Sequence, residues 1–101
     1  MKYRVFITEP ANEDLKNIVA YIAADNVDAA LKMHDKIMDV LTGLQDHPNK
    51  GAYPRNKRLK AEGYRKLAID NYIATYRLSE EKNEAYVIRV FHGAMNYEKH
   101  I

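Results

Sequence analysis

The side chains in this sequence best suited to chemistry are cations and proton donors: Arg58, Lys60, Arg65, Arg89, His92 and Tyr97. Histidine and tyrosine can exchange protons with a ribose hydroxyl and a leaving oxygen, while arginine and lysine stabilise phosphorane charge. Gathered at one end of a sheet, such a set suits metal-independent cleavage of a phosphodiester. The same arginines would also be accounted for if they merely snorkelled from a sheet into solvent. Other chemistries lack parts. Ser79 is the lone serine and stands in a polar turn without a glycine elbow, which argues against a serine triad. The absence of cysteine removes disulfides, thiol nucleophiles and thiolate metal sites together. The histidines, His34, His47, His92 and His100, show no close helical pairing, and no glycine loop could cradle a phosphate. Neither a metal nor a cofactor is expected.

Charge is distributed unevenly around that set. The net charge is only +2, yet residues 50–66 hold seven basic side chains and one acidic one, leaving residues 1–47 and 67–101 net negative. Arg55, Lys57, Arg58 and Lys60 lie in this segment, which could attract phosphates or an acidic partner protein or could simply be a solvated loop. A length of 101 residues with 47% hydrophobic and 30% charged side chains fits one domain, residues 1–101, with a single core. No apolar run approaches the roughly 20 residues of a membrane span, and the first residues lack a signal-peptide core. A cytoplasmic protein with no membrane partner is expected.

The elements that must position these residues can be read from periodicity. Tyr3–Thr8 alternates as a first strand, ended by Glu9-Pro10, and Pro10 is suited to start a helix. Leu15, Ile18, Val19 and Ile22 recur at helical spacing between Ala11 and Ala24. Asn26 can cap a second helix whose Ala30, Met33, Ile37, Leu41 and Leu44 share a face, and Pro48 stops it. The short link predicts an antiparallel helical hairpin. Three runs rich in β-branched and aromatic residues follow, Tyr64–Ile69, Tyr72–Leu78 and Ala85–Phe91, separated by Asp70-Asn71 and by the polar stretch Ser79–Glu84. They predict an antiparallel meander. The expected architecture is α+β, in the order β-α-α-β-β-β, with the hairpin covering one face of a small antiparallel sheet. The row Tyr72, Ala74, Tyr76 and Leu78 is expected to receive the helices. Leu67, Ile69 and Ile73, mixed with Arg65 and Arg77, are then expected on the open face.

The order of elements, with Asp14–Ile22, Gly63–Leu67, Asn71–Leu78 and Ile88–Gly93, resembles the RelE/ParE superfamily of bacterial type II toxins over nearly the whole chain. The resemblance implies a small growth-arresting toxin, of the kind that also stabilises plasmids, held inactive in a hetero-oligomeric complex by a cognate antitoxin. Two activities are known in the superfamily: RelE-like members cut messenger RNA on the ribosome, and ParE-like members poison DNA gyrase. RelE-like nucleases carry an arginine just after the tyrosine that opens the third strand, where this chain has Ile73. Leu67 replaces a second basic residue, and the stretch after His92 offers no arginine. The Asn71-Tyr72-Ile73 and Val90-Phe91-His92 segments look closer to the ParE branch. A gyrase-directed toxin is therefore expected, without enzymatic activity of its own. The alternatives are a ribosome-dependent mRNA endoribonuclease using Arg65, His92 and Tyr97, and a non-toxic protein-binding module. Arg55, Lys57, Arg58, Lys60, Leu67, Ile69, Ile73, Arg77 and Arg89 are the expected residues for target or antitoxin binding.

Overall fold

Thr8 and Pro10 decide where the first strand gives way to the first helix. In the computed structural model, which describes residues 2–93, strand β1 (Arg4–Ile7) ends at Thr8, whose extended backbone caps helix α1 (Glu9–Ala23). The Thr8 hydroxyl accepts from Ala11 N at 3.4 Å and donates to the Val87 carbonyl at 2.8 Å, tying the helix start to the sheet. Pro10 occupies the first turn, where its missing N–H costs nothing. Asn26 caps helix α2 (Val27–Thr42) by accepting from Ala29 N at 3.0 Å, and a 3₁₀ turn over Gly43–Gln45 extends it. The helical hairpin is as the periodicity predicts.

The basic segment is not a plain loop. Asn56 accepts from Arg58 N and Leu59 N at 2.9 and 3.1 Å, and so starts a short helix, α3 (Lys57–Ala61), pinned by the buried Leu59. Strands β2 (Tyr64–Ile69), β3 (Tyr72–Ser79) and β4 (Glu84–His92) form the meander, and the four-stranded order is β1-β4-β3-β2. Asp70 takes the left-handed backbone, φ 52°, in the two-residue turn between β2 and β3. The sheet is mixed rather than wholly antiparallel. β1 runs parallel to β4, from Arg4 opposite Glu84 to Ile7 opposite Val87. A chain that leaves β1 through two helices can re-enter the sheet in either direction, so only the hairpin-linked strands are forced to be antiparallel.

Register corrects the predicted faces. Across the two-residue turn Ile69 pairs with Tyr72 and Leu67 with Ala74, and directly opposed residues share a face. Arg65, opposite Tyr76, together with Leu67 and Ile69 therefore lies on the helix side with Tyr72, Ala74 and Tyr76, and Leu67 and Ile69, at 7% and 2% exposure, belong to the core with Leu15, Ile37, Leu41, Leu44, Val87 and Val90. Ile73 stays on the open face, opposite Ala68 and Phe91. Val87 and Val90 are three residues apart yet both buried, because the register shifts between Thr75 and Tyr76 and leaves Ile88 as a bulge.

Candidate functional site

The cations and proton donors do not gather at one end of the sheet; they divide between the two ends. Arg65 stands opposite Tyr76 and His92 opposite Tyr72, four residues apart along β3. At ~3.3 Å per residue that is about 13 Å. Tyr97 lies outside the described residues.

At the end where β2 begins, α3 and the segment before it bring Arg55, Lys57, Arg58 and Lys60 to the surface, all exposed. Tyr76 organises this end from below. It is fully buried, accepts from Gly51 N at 2.8 Å and donates to the Pro48 carbonyl at 2.8 Å. Burial raises its phenol pKa above the ordinary 10.0. Gly51 must be a glycine here, since a Cβ would stand 2.6 Å from both the Lys66 carbonyl and the Tyr76 hydroxyl. Arg65 stands opposite Tyr76 on the same face and clamps the same segment. Its Nη1 donates to the carbonyls of Asn49 (3.2 Å) and Gly51 (2.7 Å), and its Nη2 to the Tyr53 hydroxyl at 2.9 Å. The guanidinium carbon lies 4.2 Å and Lys60 Nζ 4.5 Å from the centroid of the Tyr53 ring, which is itself half exposed. Arg77, on the open face, donates from Nε to the Glu62 carbonyl at 2.8 Å and leans over Tyr64.

At the opposite end α1 lies against the part of β4 that β1 is too short to cover. Asp14 serves as a substitute strand there: its Oδ2 accepts from Val90 N at 2.9 Å and from Arg89 Nε at 2.7 Å, and its Oδ1 from Arg89 Nη2 at 3.0 Å. The hydrogen bonds and charge of Asp14 push the Arg89 pKa up. Arg89 is thus tied to α1 with about a third of its side chain exposed, and Asp14, Asn17, Tyr21, Tyr72 and His92 rim a shallow cleft beside it. His92 is exposed and meets Tyr72 edge-to-face at 5.8 Å. On the open face Phe6 stacks on Tyr86 at 5.6 Å, and Tyr86 donates to Glu84, which also pairs with Arg4 at 2.7 Å. The hydrogen bond to Glu84 raises the Tyr86 pKa.

Sequence reasoning missed Tyr53, Tyr76 and Asp14. The signal for Tyr53 was an aromatic ring set among cations. Tyr76 stood in the predicted core row, where a buried hydroxyl must find partners. Asp14 had no local signal, because its partners come from the far end of the chain.

This architecture is shared with solved toxins of two kinds. The chain resembles the chromosomal ParDE toxin-antitoxin system from P. aeruginosa, with TM-score 0.71 and 23% identity, over 90% of this chain and 96% of that one. The toxin-antitoxin complex RelBE2 from Mycobacterium tuberculosis matches with TM-score 0.60 and 24% identity, over 91% and 99%. An arginine-to-alanine double mutant of E. coli toxin RelE in the free state matches with TM-score 0.69 and 15% identity, over 99% and 94%. No curated protein matches the chain significantly. The fold is therefore that of the ParE and RelE toxins. Residues 5–97 match the model of the ParE toxin of the type II toxin-antitoxin system parDE, and the chain belongs to that family.

Proposed function

We propose that this protein is the toxin of a type II toxin-antitoxin module, that it arrests bacterial growth by ParE-like interference with DNA gyrase in the cytoplasm, and that a cognate antitoxin binds and silences it. The observation that carries the gyrase reading over message cleavage is the separation of Arg65 from His92 by about 13 Å along the sheet. A metal-independent nuclease needs its base, its acid and its phosphate-binding cation within hydrogen-bond reach of one phosphodiester. Arg65 spends three donors on Asn49, Gly51 and Tyr53, and Arg89 is engaged by Asp14. Ile73 supplies no charge to the open face. Loss of one transition-state contact costs a factor of about 10² to 10³ in rate.

The reading is tested with purified protein and gyrase. Supercoiling is expected to be inhibited, or cleaved DNA trapped, and prior addition of the antitoxin encoded beside the gene is expected to prevent it. Growth that continues normally on expression in a bacterial host would point instead to a non-toxic binding module.

A further inference from the structure

The helical hairpin carries a second apolar row that its own core does not use. On α2 the core takes Ala30, Ile37 and Leu41, all buried, while Val27 and Leu31 are left 61% and 55% exposed. Helical spacing carries this row on to His34 and Met38, which with Val19 and Ala20 of α1 line a groove between the two helices. The steps along Val27, Leu31, His34 and Met38 are four, three and four residues, the interval at which the side chains of one helix mesh with those of another. The lips of the groove are acidic. Asp28 and Asp39 follow directly on Val27 and Met38, and Asp35 stands one turn on from Leu31, so the three border the row on its solvent side. On the α1 lip the exposed Glu9 and Glu13 outnumber Lys16. Among the described residues the ion pairs of lysine and arginine use other carboxylates, those of Asp14, Asp46, Asp70 and Glu84. Asp35 meets only the neighbouring His34, at 3.3 Å.

We infer that this groove docks an amphipathic helix of a partner protein, one whose apolar row is flanked by lysine or arginine. A third helix laid between α1 and α2 would cover Val27, Leu31 and Met38 with its own apolar side chains and bring its flanks against both lips. Charge selects among the helices that could lie there. Acidic flanks would meet Glu9, Glu13, Asp28, Asp35 and Asp39 with like charge, whereas basic flanks meet carboxylates that no lysine or arginine among the described residues neutralises. A second copy of this chain fits poorly for the same reason, since a symmetric contact would set acidic lips against acidic lips. The groove shares no residue with the basic end of the sheet or with the cleft beside Arg89. Docking there does not rest on the gyrase reading, and its test contains no gyrase.

The test is fluorescence anisotropy of labelled model peptides with the purified chain: a helical peptide of leucine, alanine and lysine with its leucines at alternating four- and three-residue steps, the same peptide with glutamate for lysine, and a scrambled version of the first. Only the first is expected to bind, with an affinity that weakens as salt rises. Leu31→Ser, a change at an exposed site, is expected to weaken it at least about tenfold. Asp35→Lys combined with Asp39→Lys is expected to cost about tenfold at low salt and less at high salt. Circular dichroism and thermal melting of each variant separate lost binding from lost fold. The inference is overturned if the lysine peptide does not bind at low salt, or if the glutamate or scrambled peptide binds as tightly. A lysine peptide that binds the folded Leu31→Ser variant and the parent alike would also sink it. Sedimentation of the peptide-free chain as a dimer that Leu31→Ser dissociates would assign the groove to a second copy and overturn it equally.

Discussion

At the hairpin end of the sheet Arg89 is met by the Asp14 carboxylate in two hydrogen bonds, whereas at the basic end Arg65 is met by the neutral oxygens of Asn49, Gly51 and Tyr53. Both guanidiniums are held in place, but only one is neutralised. A carboxylate partner turns an arginine into a structural bond with little field beyond it. Carbonyl and hydroxyl partners fix an arginine and leave its charge to act outward. Arg89 therefore belongs to the scaffold. Arg65 belongs both to the scaffold and to the positive surface formed with α3.

Substitutions can break or sharpen this contrast. The largest effect is expected at Tyr76, fully buried beneath the basic end, where Tyr76→Ala should cost ~4 kcal/mol in denaturant unfolding. Amide exchange in that variant should quicken around residues 48–53 while the amides near Asp14 keep their relative protection. At the other end Asp14→Ala removes the partner of both Arg89 and Val90 N and should cost ~2 kcal/mol. Asp14→Asn, which keeps an acceptor for Val90 N, should cost less. If either Asp14 variant loosened residues 48–53 preferentially, the two ends would not be separate.

A smaller effect is expected from the Tyr76 phenol itself. Tyr76→Phe leaves Gly51 N and the Pro48 carbonyl without their partner and should cost ~1 kcal/mol. Its pH signature has a definite sign. The folded pKa lies above the unfolded value of 10.0, so from about pH 10 upward the unfolded chain ionises first and binds fewer protons. This contribution to stability is complete below pH 10 and is lost as pH rises through the folded pKa. The Phe variant should lose that part of the slope. The smallest change in stability is expected from Lys57→Glu with Lys60→Glu, both exposed and with Lys60 touching only the half-exposed Tyr53 ring, within about 1 kcal/mol by thermal or chemical unfolding.

Much of this molecule could be read from its residues. Pro10, Asn26 and the helical spacing of the apolar side chains led to the hairpin, and the two polar turns led to the meander. The face assignment failed at Arg65, Leu67 and Ile69 although its key was present. A two-residue turn at Asp70-Asn71 pairs Ile69 with Tyr72 and so puts both on one face. The parallel pairing of β1 was not legible, since nothing within Arg4–Ile7 names a partner about eighty residues away. The Asn56 cap of α3 was readable in retrospect, but five helical residues give too little periodicity to recognise. The basic cluster was evident as composition. Its rigidity was not, because that rests on Tyr76 and Arg65 reaching back across the sheet to Pro48, Asn49 and Gly51.

If, as proposed, the two ends of the sheet do not combine into a nuclease site, ribosome-bound message stays whole. The most direct measurement is primer extension on ribosome-bound messenger RNA after addition of the purified protein, alone and with His92→Ala and Arg65→Ala. An intact message is expected with all three proteins. Codon-phased cuts made by the parent and abolished by either substitution in a folded variant would contradict it.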